Sequence, residues 1–97
     1  HANARYFRAG LQRSGFDLIP GEHPIIPVMI GDEARAAGFA AGLMQQGVYV
    51  IAFSYPVVPK GLARIRTQVS AAHTRADLDR ALAAFTKIGR SHNLVGG

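Results

Sequence analysis

The chain contains no cysteine, no tryptophan and no long uninterrupted run of apolar residues. Without cysteine, the side chains can form no disulfide, no thiolate nucleophile and no thiolate metal site, which favours a cytoplasmic protein. A membrane-spanning helix needs roughly 18 or more consecutive apolar residues, and the sequence also lacks the hydrophobic core of a signal peptide. The sequence therefore predicts a cytoplasmic protein with no membrane partner.

Basic residues outnumber acidic ones, giving a formal net charge of +5 and a pI near 10.5. An excess of basic residues is typical of nucleic-acid-binding proteins, so we ask whether these residues cluster along the chain. The basic residues are spread along the whole chain, with no basic run and no interleaved aromatic residues suited to base stacking. We therefore predict no nucleic-acid partner.

A chain of 97 residues with 48% hydrophobic and 18% charged residues is typical of one globular domain. Its periodicities predict, in order, a helix, a strand, a helix, two strands and a helix. These elements lie near residues 3–14, 25–30, 33–46, 48–53, 62–69 and 74–91. The predicted fold is an α/β (α+β) two-layer sandwich, with a small, mostly antiparallel sheet and helices on one face. Residues 93–97 are expected to form a flexible tail.

Several local signals sharpen this prediction. Pro27 cannot donate to a strand ladder, so its strand is expected to be an edge or bulged strand. The run from Val48 to Phe53 lacks strict alternation, which predicts a buried central strand that contains Tyr49. Asp32 is a candidate helix cap, and Thr74 with Asp77 forms a variant of the capping box.

Two arginines stand out because of their spacing. Residues 62–69 alternate, so Arg64 and Arg66 point to the same face of the strand, away from the core. A guanidinium group matches a carboxylate with two parallel hydrogen bonds, which makes a small acid the natural ligand. The alternative is that both arginines are solvated or paired with acids such as Asp77 or Glu33.

The histidines give a weaker signal. His23, His73 and His92 are far apart and show no metal-ligand spacing, so the sequence predicts no metal site. We expect His73 to steady the turn that precedes the last helix.

Segment 55–74 reads YPVVPKGLARIRTQVSAAHT, and it follows Asn3-Ala4-Arg5, a His23-Pro24 pair and Gly31-Asp32. With these motifs the chain resembles, over nearly its whole length, the carboxyl-terminal part of the α-oxoamine synthases, which are pyridoxal-phosphate-dependent enzymes of fold-type I. Within that family it is most similar to the glycine C-acetyltransferase branch, also called 2-amino-3-ketobutyrate coenzyme A ligases. The resemblance implies the small carboxyl-terminal domain of a larger, homodimeric enzyme, spanning residues 1–97 here.

The resemblance also implies roles for particular residues. Arg66 occupies the position that binds the carboxylate of the amino-acid substrate, and Tyr55 is a secondary candidate for substrate contact. Apart from the resemblance, Ser70 is first a residue at the end of a strand and only secondarily a candidate for substrate contact. The full-length enzyme would condense glycine with acetyl-coenzyme A to 2-amino-3-oxobutyrate, or run the reverse cleavage with coenzyme A in threonine degradation.

The cofactor lysine is expected in a large domain outside these residues. Lys60 and Lys87 lack the small, hydroxyl-rich setting that the family uses for the lysine that holds pyridoxal phosphate. No catalytic or cofactor-binding residue is therefore predicted in this chain, and the fragment alone is expected to be inactive and to bind no pyridoxal phosphate. Lys60 could meet a coenzyme A phosphate or only solvent.

Two other interpretations stay open. The chain could belong to another α-oxoamine synthase, of the 8-amino-7-oxononanoate or 5-aminolevulinate synthase type. It could instead be a non-catalytic binding module that uses the uncovered face of its sheet for a partner.

Overall fold

The computed structural model describes residues 2–19, 25–69, 72–92 and 94. Three helices alternate with two pairs of strands along this part of the chain. Their bounds are α1 (Ala2–Arg13), β1 (Asp17–Leu18), β2 (Ile25–Gly31), α2 (Glu33–Gln45), β3 (Ile51–Phe53), β4 (Ala63–Gln68) and α3 (Arg75–Ser91).

The strands form one sheet in the order β1-β2-β4-β3, and each pair of neighbours is antiparallel. The helices pack on one face of this sheet, which confirms the predicted two-layer sandwich. Strand β1 was not predicted, because two residues are too short to show an alternating pattern.

The core lies between the sheet and the helices. Strand β4 directs Ala63, Ile65 and Thr67 inward, and all three are buried, while Arg66 and Gln68 are exposed on the other face. Four phenylalanines fill the centre, and their ring centroids lie 5.6 to 5.8 Å apart, mostly edge to face: Phe7, Phe16, Phe39 and Phe85. The alternation in β4 therefore separates the core from the face that carries the arginines.

Two helix glycines allow the helices to approach α3 closely. A Cβ atom on Gly10 of α1 would lie 2.5 Å from Leu82 Cδ1, and one on Gly42 of α2 would lie 2.8 Å from Ile88 Cγ2. Both distances are shorter than a normal carbon contact, so an added Cβ would require the Leu82 or Ile88 side chain to shift. Gly42 therefore serves helix packing.

Helices α1 and α3 are also joined at the surface. The Tyr6 hydroxyl donates to the Asp79 carboxylate, and the Arg75 guanidinium lies 3.7 Å from the centroid of the Tyr6 ring. The hydrogen bond to Asp79 raises the pKa of Tyr6. This contact adds a polar link to the apolar packing of the two helices.

Strand β2 is not an edge strand, which corrects half of the prediction made from Pro27. It lies between β1 and β4, and its register with β4 shifts between Met29 and Gly31, as in a bulged strand. The Pro27 carbonyl accepts from the Ile19 N–H at 3.3 Å, so the nitrogen of Pro27 faces the β1 side. Because this nitrogen points away from β4, the missing donor of Pro27 breaks no bond to β4.

Strand β3 differs from the prediction in length and position. It spans only Ile51–Phe53 and lies at the edge of the sheet, so the prediction of a buried central strand was wrong. The Tyr49 side chain is 78% exposed and lies outside the strand. A run of β-branched and aromatic residues indicates a strand, but it does not determine whether that strand is central and buried or lies at an edge.

Helix α3 begins with the predicted capping box. The Thr74 hydroxyl accepts from the Asp77 N–H at 3.1 Å, and the Asp77 carboxylate accepts from the Thr74 N–H at 2.9 Å. We expect Thr74→Ala to lower the free energy of unfolding by about 1 kcal/mol, because it leaves a helix N–H without its acceptor.

Urea unfolding of the chain, followed by circular dichroism, measures this change. Thr74→Ser keeps the hydroxyl and is expected to stay close to wild type. A Thr74→Ala variant as stable as Thr74→Ser would contradict the capping role.

Three features from the sequence fall on residues that the structure leaves undescribed. His23 and Ser70 lie outside the described residues. Of the predicted flexible tail at 93–97, only Leu94 is described, and its N–H donates to the Gly89 carbonyl at 2.8 Å.

Candidate functional site

The face of the sheet that carries no helix presents the candidate site. Arg66 of β4 pairs with Ile51 of β3 on one side and with Pro27 of β2 on the other. Paired residues point to the same face of a sheet, so Ile51 and Pro27 flank Arg66. Ile51 is 55% exposed, and Arg66 is exposed as well. This helix-free face therefore combines an accessible cation with apolar neighbours.

Arg66 stacks on an aromatic ring. Its guanidinium carbon lies 4.7 Å from the centroid of the Phe53 ring, which is diagonal to it across the β3–β4 pair. A contact with the face of a ring uses no hydrogen-bond acceptor, so the N–H groups of Arg66 stay available to donate to a ligand. Phe53 therefore supports Arg66 without competing for its donors.

No acid neutralises Arg66 in the described parts of the chain. Asp77 accepts from Thr74 and pairs with Arg80, and Glu33 accepts from the Gly61 N–H. The backbone and side-chain hydrogen bonds with Thr74, followed by Arg80, hold the pKa of Asp77 below its usual range. The two acids proposed as alternative partners are therefore engaged elsewhere.

Arg64 lies on the same face but in a different setting. It is half-buried, and its Nε–H donates to the Leu62 carbonyl at 3.3 Å. Its partners across the strands are Met29 and Phe53. One of its donors is thus already used by the main chain, which leaves Arg66 as the more available cation.

The loop from Ser54 to Leu62 connects β3 to β4 and carries Tyr55. The Ser54 carbonyl accepts from the N–H groups of Val57 and Val58, which folds the first half into a turn. Tyr55 is 62% exposed and lies two residues after the end of β3, the strand that contains Phe53. Tyr55 and Arg66 therefore belong to one hairpin.

A cleft of about 580 Å³ opens at the end of β4, beside the loop that leads into α3. Its walls combine core side chains such as Phe7 and Val69 with the polar residues His73, Asp77 and Arg80. The His73 carbonyl accepts from the Asn3 side-chain amide at 2.9 Å, which ties the turn before α3 to α1.

Both lysines of the chain lie at the surface. Lys60 is exposed in the loop, and Lys87 is exposed on α3. Neither lines the cleft, and a Schiff-base lysine needs an enclosed setting with a phosphate cradle beside it. That the cofactor lysine lies outside this chain stays a prediction.

The sequence-family model described as aminotransferase class I and II matches residues 1–85. The chain belongs to this family. It is 53% identical over 94 residues to 2-amino-3-ketobutyrate coenzyme A ligase of Escherichia coli strain K12, covering 97% of this chain and 24% of that protein. It is 48% identical over 93 residues to 8-amino-7-oxononanoate synthase of Symbiobacterium thermophilum, covering 96% of this chain and 24% of that protein.

Solved structures of the family share the fold. The Sphingomonas wittichii serine palmitoyltransferase superimposes with a TM-score of 0.92 at 28% identity, covering 98% of this chain and 24% of that one. A serine palmitoyltransferase with a pyridoxal-phosphate internal aldimine gives a TM-score of 0.92 at 31% identity, covering 97% of this chain and 24% of that one. The chain thus spans about a quarter of the length of the relatives it matches.

These comparisons confirm the resemblance at the level of the α-oxoamine synthases, whose cofactor is pyridoxal phosphate. They do not separate the glycine C-acetyltransferase branch from the 8-amino-7-oxononanoate synthases, because relatives of both kinds match at similar identity. In the described chain no helix is long and apolar enough to cross a membrane.

Sequence reasoning placed Arg66 on the face where the structure has it, but missed what surrounds it. Phe53 was assigned only to a strand, and Glu33 only to a possible ion pair. Both contacts depend on the register between elements, which a single sequence does not show. A signal for Phe53 was present, since an aromatic residue just before a loop often meets the strand that returns from it.

Proposed function

We propose that this chain is the carboxyl-terminal small domain of a glycine C-acetyltransferase. One observation supports a substrate-binding role in such an enzyme: an exposed arginine, over the ring of Phe53 and without an acid partner in the described chain, projects from the helix-free face of a family domain. The 53% identity to a 2-amino-3-ketobutyrate coenzyme A ligase supports this branch of the family.

Arg66 would bind the carboxylate of the amino acid through two parallel N–H···O bonds. Such a pair fixes both the position and the rotation of the carboxylate, and so it orients the bonds at the substrate Cα. The contribution of this chain is therefore positioning. The acyl group would come from acetyl-coenzyme A, and the product would be 2-amino-3-oxobutyrate.

The helix-free face is also where the rest of the protein would dock. Ile51 is 55% exposed and Leu62 is 45% exposed, and apolar side chains of this kind favour burial against another surface. The docked part would supply pyridoxal phosphate, its lysine and the dimer contacts. A cytoplasmic location and a homodimer stay predictions.

A substrate comparison on the whole protein tests the proposal. We expect faster turnover with glycine and acetyl-coenzyme A than with alanine and a long, carboxyl-bearing acyl thioester. Release of free coenzyme A, followed with a thiol reagent, measures both reactions. Preference for alanine and the long thioester would overturn the assignment to this branch.

The second candidate is an 8-amino-7-oxononanoate synthase. It is favoured by the 48% identity to the Symbiobacterium thermophilum enzyme of that name, over almost the same residues. Arg66 would bind the amino-acid carboxylate in this case too. The two candidates differ in the acyl group and the amino acid, which is what the substrate comparison measures.

The stacking of Phe53 on Arg66 leads to a separate prediction. We expect Phe53→Leu to raise the KM for the amino acid about two- to fivefold, because an exposed cation–π contact contributes roughly 0.5–1 kcal/mol. Phe53→Tyr keeps the ring and is expected to stay near wild type. Steady-state kinetics with saturating acyl thioester give both values, and equal KM values for the two variants would contradict the role of the ring.

A further inference from the structure

A single side chain ties the loop between β3 and β4 to the helical layer. The Glu33 carboxylate, at the first residue of α2, accepts from the Gly61 N–H with an Oε2···N distance of 3.1 Å. Other hydrogen bonds described for this loop close it on itself, since Ser54 accepts from Val57 and Val58 and the Pro59 carbonyl accepts from the Leu62 N–H, while the Leu62 carbonyl accepts from Arg64 of β4. Glu33 thus provides a hydrogen bond from the loop to the helical layer.

The backbone around Glu33 is shaped to allow this contact. Gly31 and Gly61 both have positive φ angles, +96° and +82°, which favour glycine. A Cβ atom at Gly31 would lie 3.6 Å from the Gly61 carbonyl oxygen, so the end of β2 and the end of the loop approach as main chain against main chain. Gly31 also pairs with Ala63, the first residue of β4. Glu33, two residues further on, is thereby brought within reach of Gly61.

We infer that Glu33 is a positioning residue for the substrate site. By holding the Gly61 N–H, it fixes the carboxyl-terminal end of the loop whose first half carries the exposed Tyr55 and Val57. Tyr55 and Val57 are 62% and 73% exposed, and their apolar surface suits the acyl and pantetheine part of a thioester. This inference rests on the function proposed above and adds the acyl side to it.

Glu33 could have a different task, because a carboxylate in the first turn of a helix also stabilises the positive end of the helix dipole. The two tasks depend on different properties of the side chain. Holding Gly61 requires length, whereas interaction with the dipole requires charge. Glu33→Asp keeps the charge but is shorter by one methylene, roughly 1.5 Å of reach. Glu33→Gln keeps the length and an acceptor oxygen but loses the charge.

Hydrogen exchange of the whole protein separates these tasks. In peptides that cover residues 57–62, we expect Glu33→Asp and Glu33→Ala to speed amide exchange about tenfold, because a hydrogen bond to a charged group is lost. We expect Glu33→Gln to stay within about threefold of wild type, because a neutral acceptor is retained. Slow exchange in Glu33→Asp together with fast exchange in Glu33→Gln would overturn the inference and assign Glu33 to the helix dipole.

Kinetics of the same variants test the link to the substrate. We expect Glu33→Asp to raise the KM for the acyl thioester about three- to tenfold, with the KM for the amino acid within about twofold of wild type. An unchanged KM for the thioester, despite faster exchange, would overturn the positioning role. Failure of the proposed function itself would show elsewhere, as a preference for alanine and the long thioester in the substrate comparison, or as a KM for the amino acid that does not respond to Arg66→Ala.

Discussion

Replacement of Arg66 by alanine is expected to raise the KM for the amino-acid substrate of the whole protein about 100-fold or more. The guanidinium would make two charge-assisted hydrogen bonds to the substrate carboxylate, and each contributes roughly 1.5–3 kcal/mol. A loss of about 1.4 kcal/mol corresponds to a factor of ten in affinity, so removing both bonds exceeds two orders of magnitude. Initial rates over a range of amino-acid concentrations, with the acyl thioester saturating, measure this change.

Two matched variants give the prediction its controls. Arg66→Lys keeps the charge but loses the planar pair of donors, so we expect an intermediate rise in KM. Arg64→Ala removes an arginine from the same strand and face, but one whose Nε–H donates to the Leu62 carbonyl. We expect it to change the KM for the amino acid far less than Arg66→Ala. An Arg66→Ala enzyme with near-normal saturation by the amino acid would refute the carboxylate-binding role.

Replacement of Phe85 by alanine is expected to have the largest effect on stability. Phe85 is fully buried, and its ring lies edge to face against Phe7, Phe16 and Phe39. Truncation of a core phenylalanine costs about 3–5 kcal/mol, through lost burial and the cavity left behind. A domain of this size is stabilised by only about 5–15 kcal/mol, so we expect Phe85→Ala to be largely unfolded or to melt far below wild type.

Thermal unfolding of the chain, followed by circular dichroism, measures the loss. Tyr49→Ala is a suitable control, because it also truncates an aromatic ring, but one that is 78% exposed. We expect that variant to unfold within a few degrees of wild type. If both variants lost the same stability, the four phenylalanine rings would not be the centre of the core.

The sequence predicts the elements of this fold better than their surroundings. The cap at Asp32, the capping box at Thr74 and the alternation of β4 are local signals, and the structure confirms each of them. The exposure of Tyr49 was mispredicted because a β-rich run has the same composition whether a sheet edge is covered or open. What lies beside a strand is decided by residues distant in the sequence.

In the candidate site, too, the local features were predicted from the sequence and the tertiary contacts were not. The spacing of Arg64 and Arg66 is enough to place both on one face of a strand. The difference between them depends on the main-chain acceptor at Leu62 and on the ring of Phe53, and both follow from tertiary contacts. The link from Glu33 to Gly61 joins residues 28 positions apart, and no periodic pattern indicates it.

The short edge strand has a consequence for solubility. An edge strand offers free N–H and C=O groups to other chains, and a long, flat, apolar edge invites stacking into aggregates. Here β3 has only three residues, and Pro56 and Pro59 follow soon after it. Proline has no N–H to donate to an incoming strand, so it acts as a gatekeeper that stops the ladder from growing. The prolines of the loop would thus protect the domain from self-association whenever its neighbouring surface is not yet in place.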